Sequence, residues 1–142
     1  MGDLKLLALD SEDLETISAT TQDAVVRVPD IGFAEGDRRF VLMMNRYAWE
    51  AEGRRGPGQR RRAALAFNRV NRVQTAGINL GAAEGVLDLL DIHFEPADEP
   101  AGTIELRFAG GGTIRLAVEC IEVQLEDLGA AWAAQGRPEH DV

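Results

Sequence analysis

Between Thr113 and Leu125 the sequence reads TIRLAVECIEVQL, and its apolar residues change phase midway. Ile114, Leu116, Val118 and Cys120 hold even positions, whereas Ile121, Val123 and Leu125 hold odd ones. A strand sends alternate residues to opposite faces, so a one-residue slip turns the buried set toward solvent. The chain must therefore insert a bulge here or pass from one sheet to another. Strands that bend in this way belong to a closed or two-sheet β architecture.

The rest of the chain fits that requirement. TIELRF (103–108) alternates with Ile104, Leu106 and Phe108 inward, and AGGG (109–112) supplies the turn after it. AVVRV (24–28) ends at Pro29-Asp30, and IGFAE (31–35) forms a hairpin across Gly36-Asp37 with RRFVLMMNRYAWE (38–50). That second arm is apolar on both faces, the pattern of a central strand or a subunit interface. AALAFNRVNRVQT (63–75) and VLDLLDIHFE (86–95) add two long strands, and LKLLAL (4–9) a short one. One helix is expected from about residue 11 to 22. Asp10 or Ser11 caps it, Glu12 and Asp13 sit in its first turn, and Leu14, Ile17 and Thr21 share a face. Leu125, Leu128 and Trp132 fall at helical spacing around EDLGAAWAA, which predicts a second helix near the C-terminus.

No strand–helix–strand alternation appears, which argues against a parallel sheet. The fold class expected is α+β and mostly antiparallel β. It takes the form of a bent-sheet barrel of about seven strands with an N-terminal helix and a C-terminal capping helix, pleckstrin-homology-like. An open two-layer α+β sandwich is the alternative. A chain of 142 residues suits one domain. The expected domain spans 1–136, and 137–142 forms a polar tail.

Several function classes drop out on composition. No apolar run reaches the roughly 18–20 residues that cross a bilayer, and acidic residues follow the first apolar patch where a signal peptide needs a basic start. One cysteine, Cys120, excludes an internal disulfide, and a cytoplasmic location is expected. Two histidines and that cysteine fall short of a structural zinc site, and AGGG lacks the Gly-Lys-Ser/Thr ending of a phosphate loop. No metal and no cofactor is expected.

Three stretches carry a resemblance. LKLLALDSEDLETISATTQDAVVRVPD (4–30), RRFVLMMNRYAWE (38–50) and above all FAGGGTIRLAVECIEVQLEDLGAAW (108–132) resemble a family of small uncharacterised bacterial proteins, domain of unknown function 2948. The resemblance covers nearly the whole chain. It implies a bacterial, cytoplasmic, single-domain protein and supplies no catalytic or binding residue.

The charge map is the feature with functional content. RRGPGQRRR (54–62) packs Arg54, Arg55, Arg60, Arg61 and Arg62 around Gly-Pro-Gly, at the tip between two long strands. From Asp37 to Arg72 ten arginines face three acids, a local +7 in a chain of net −9, which leaves −16 elsewhere. An arginine fork binds carboxylate or phosphate bidentately. Beside the loop stand Tyr47 and Trp49, and aromatic anchors with an arginine rim have the composition of an interface. The expected function is non-enzymatic: binding or scaffolding of a protein partner, or of a second copy, through the hairpin 40–72. In the homodimer version the acidic segment 84–127, with eleven acids and two arginines, receives the loop of the other subunit. Nucleic acid is an alternative ligand for the loop, although an acidic remainder repels a polyanion. A solvated tip with intramolecular ion pairs is the plainest alternative.

A second constellation suggests a small enzyme or an anion pocket. Arg69 shares parity with Leu65 and Phe67, and Asp88 with Val86, Leu90, Ile92 and Phe94. An inward Arg69 paired with Asp88 or Asp91 is therefore expected, because unpaired buried charge is costly. The same arginine with Asn68 or Asn71 would make an anion pocket. Asp91, His93 and Glu95 share one strand face, which fits a histidine base between carboxylates or an ordinary solvated face. Cys120, among apolar neighbours, reads as a small buried hydrophobe.

Overall fold

The computed structural model describes residues 4–47 and 60–128. Its one α-helix, α1 (Ser11–Thr20), starts where the cap residues place it. Asp10 is extended and its carboxylate accepts the Asp13 N–H at 2.8 Å. Leu14, Ile17 and Thr21 are all buried on the face predicted for them.

Among the described residues nine strands follow the chain: β1 (Lys5–Ala8), β2 (Val25–Ala34), β3 (Arg39–Tyr47), β4 (Arg60–Phe67), β5 (Val70–Ala76), β6 (Val86–Pro96), β7 (Gly102–Phe108), β8 (Thr113–Val118) and β9 (Val123–Asp127). Every pairing is antiparallel, in the order β1-β9-β4-β3-β2-β6-β7-β8-β5. This is a mostly antiparallel α+β fold. It has nine strands where about seven were expected, and the sheet does not close: the order ends on β1 and β5, which do not pair with each other.

The sheet folds over one core. Phe40, Leu42, Leu65 and Phe67 of one half and Ile104, Leu106, Ile114 and Leu116 of the other belong to the same buried cluster. At these exposures each such side chain contributes roughly 1.5–3 kcal/mol of transfer free energy. β2 pairs with β6 through Val25–Arg27 opposite Asp88–Val86, linking the halves along one side. Two chain crossings link them elsewhere. The phase slip that opens the sequence is one of these: residues 119–122 leave β8 and enter β9, so Ile114, Leu116 and Val118 face inward, as do Ile121, Val123 and Leu125. The other divides the predicted long strand 63–75 at Asn68–Arg69, where Arg69 adopts φ 62°. Backbone bonds tie the two crossings together, Asn68 N–H to Glu122 O at 2.9 Å and Glu119 N–H to Arg69 O at 3.0 Å.

Two further expectations need correction. Val25 to Ala34 is one strand through Pro29-Asp30, because the register against β3 jumps from Val26 to Ile31 and leaves the proline without a ladder partner there. The helical spacing assigned to Leu125 is a coincidence of strand residues, since β9 continues to Asp127. The predicted capping helix beyond it and the tail 137–142 lie outside the described residues.

Candidate functional site

β3 and β4 form the predicted hairpin, in register from Phe40↔Phe67 to Tyr47↔Arg60. Arg60, Arg61 and Arg62 therefore stand opposite Tyr47, Arg46 and Asn45 at its far end. Arg54, Arg55 and Trp49 lie outside the described residues.

The structure distributes the basic stretch unevenly. At the near end Arg38 pairs with Glu119 and bonds Asn71 at 3.2 Å, Arg39 bonds Asn68 at 2.9 Å, and Arg69 lies 3.4 Å from Glu122. Arg62 reaches Asp30 at 3.2 Å. Arg60 donates to the carbonyls of Asp23 and Asn45, at 3.0 and 3.1 Å. Arg61 differs from all of these: its Nε is buried and has no hydrogen-bond partner.

Beside Arg61 is a buried ion pair that sequence reasoning missed. Arg46 and Asp127 are fork to fork, Nε to Oδ1 at 2.8 Å and a terminal nitrogen to Oδ2 at 2.8 Å. Arg46 is 0% exposed and Asp127 5%. Between them Ala63, opposite both Met44 and Asp127, offers only a methyl group, so the arginine can cross β4 to reach β9. Asp127 Oδ2 also accepts the Leu4 N–H at 3.1 Å. The signal was present: Arg46 has the parity of Phe40, Leu42 and Met44, and Asp127 that of Val123 and Leu125.

The second constellation does not assemble as predicted. Arg69 turns at the crossing and meets Glu122, away from Asp88 and Asp91. Asp88 is exposed, because the register shift between Leu89 and Asp91 makes Leu89 and Ile92 the inward residues and leaves Val86 and Leu90 outside. Past that irregularity the Ile92 N–H donates to Ser18 Oγ of α1 at 2.9 Å. Asp91 forms a bidentate pair with Arg107, at 2.8 and 3.0 Å. The hydrogen bond and charge of Asp91 raise the Arg107 pKa above its ordinary value.

His93 shares that outer face. It stands 3.8 Å from Glu105 and 4.0 Å from Glu95, and both carboxylates also meet Arg115. The result is a ladder of charges across β6, β7 and β8, the usual dressing of a solvated sheet face. Asp91 also borders a shallow hollow of about 280 Å³ beneath α1, which neither His93 nor Arg69 enters. Cys120 is half-buried, not fully buried as expected, and lines a cleft of about 250 Å³ with Asp10, Ser11 and Glu99. Among the described residues no basic side chain borders that cleft to activate the thiol. Among the described residues no group of three or more His, Cys, Asp or Glu is placed to hold a metal ion, and no helix is long and apolar enough to cross a membrane.

A family model described as protein of unknown function, DUF2948, matches residues 4–140. The chain belongs to that family. The DUF2948 match runs through all nine strands, both crossings and α1, so the charged features above lie within the family's own domain. No curated protein and no solved structure matches the chain.

Proposed function

We propose that this protein is a binding protein that docks an acidic protein partner through the far end of the β3–β4 hairpin. The observation that carries this reading is the positive charge left without a carboxylate at that end. Arg38, Arg69, Arg46 and Arg62 are matched by Glu119, Glu122, Asp127 and Asp30, whereas neither Arg60 nor Arg61 at the far end has a carboxylate partner among the described residues. Positive charge left over after intramolecular pairing is what a docking surface for carboxylates requires. Tyr47, opposite Arg60, adds an amphipathic ring at the same end.

A different protein is favoured over a second copy. Glu119, Glu122 and Asp127 of the acidic segment are engaged within their own chain, so they are not free to receive another subunit's arginines. Nucleic acid ranks lower because −16 outside residues 37–72 opposes a polyanion. A catalytic use of Arg69, Asp91 and His93 ranks lowest, since Arg69 is committed elsewhere.

Low-salt affinity capture from a lysate tests the proposal, comparing the native chain with a variant in which Arg54, Arg55, Arg60, Arg61 and Arg62 become serine. The expected result is a protein of acidic composition held by the native chain and lost by the variant. Identical captures would refute the docking surface. Arginine-dependent recovery of nucleic acid alone would transfer the role to the alternative ligand.

A further inference from the structure

We infer that Arg61 is a seat for a single carboxylate, an aspartate or glutamate side chain presented by an acidic protein segment. This rests on the docking reading above and names the contact within it. The starting point is strand parity. Arg61 falls in phase with Ala63, Leu65 and Phe67, all fully buried, so its side chain leaves β4 on the core face. Directly opposite it on β3 is Arg46. Like charges directly across a strand pair destabilise it, and a guanidinium cannot shed its proton to escape.

Asp127 is the carboxylate nearest to hand in the register, and it is already used. Both of its oxygens bind Arg46, and Oδ2 takes the Leu4 N–H as well. Among the described residues two arginines thus face inward with one carboxylate between them, and that carboxylate belongs to Arg46. Arg61 is left with a buried, unpartnered Nε and a half-buried side chain. The buried Nε is closed to an outside ligand, so the half-buried side chain offers its terminal nitrogens, and a lone cation there gains most from a planar anion that accepts two parallel N–H bonds. A carboxylate has that shape. A phosphodiester strand is the poorer fit, because it brings a row of charges toward a chain that carries −16 outside residues 37–72.

The test is fluorescence anisotropy at low salt with a labelled peptide rich in Asp and Glu, its Asn/Gln counterpart, and a labelled single-stranded oligonucleotide. The full-length native chain is compared with Arg61→Met, which keeps the apolar stem, and Arg61→Lys, which keeps the charge without the fork. The native chain is expected to bind the acidic peptide and not its neutral counterpart. Arg61→Met should weaken binding about tenfold or more, the loss of one charge-assisted contact, and Arg61→Lys should recover part of it. Thermal melting supplies the second readout. Removing an unmatched charge beside Arg46 should leave the melting temperature of Arg61→Met unchanged or raise it, whereas a merely structural arginine would lower it. Native-like peptide affinity in Arg61→Met overturns the inference. If the five-serine variant then still loses its captured protein, the docking reading survives without this anchor. Failure of the native chain to bind the acidic peptide, or arginine-dependent binding of the oligonucleotide alone, also overturns the carboxylate seat.

Discussion

Arg46 and Asp127 illustrate how a buried charge pair both burdens and specifies a core. Their fork geometry and the additional bond from Leu4 compensate the desolvation of both ions. Removing one partner strands the other. Arg46→Met is expected to cost about 3–5 kcal/mol in urea unfolding, and so is Asp127→Leu. The double variant should lose far less than the sum of the two, because no uncompensated charge remains. The parity of both residues was plain in the sequence, yet partner choice was not, since it depends on Ala63 leaving room between strands distant in sequence. Arg69 and Asp88 fail for the opposite reason. Parity holds only along an unbroken ladder, and a left-handed residue at 69 and a register shift at 89–91 reset it.

Among the secondary elements, α1 was readable because its signals are local: a cap carboxylate, acids in the first turn and an apolar face. The phase slip at 118–121 was readable too, and the structure resolves it as a passage between the two halves of the sheet. The break at Asn68–Arg69 left only a faint mark, because the single residue Val70 shifts off the odd positions of Leu65 and Phe67 before the apolar pattern fades. Gly102 also shows its reason only in three dimensions. It begins β7 opposite Pro96, and a Cβ there would collide with the Glu95 carbonyl oxygen and the Phe94 ring. Gly102→Ala is therefore expected to destabilise the fold by about 1–3 kcal/mol through overpacking, measured as a lower urea midpoint with an unchanged m-value.

Across the whole molecule the charge map changes meaning once folded. Composition alone sets a +7 stretch against an acidic remainder. The fold brings Glu119, Glu122, Asp127 and Asp30 against that stretch and neutralises Arg38, Arg69, Arg46 and Arg62. What had been a continuous basic segment becomes a set of paired arginines and a remainder without carboxylates, Arg60 and Arg61 at the far end among it, a division that no count along the chain contains. The central claim is that binding belongs to the far end of the β3–β4 hairpin, at Arg60 and Arg61. The most direct measurement is a titration of isotope-labelled protein with the acidic peptide, following backbone amide shifts by NMR. Shifts centred on Tyr47 and Arg60–Arg62, with Arg38 and Arg69 quiet, are the predicted result. Shifts centred on the Arg38–Arg69 corner or on the His93 face, or no shifts anywhere, would contradict it.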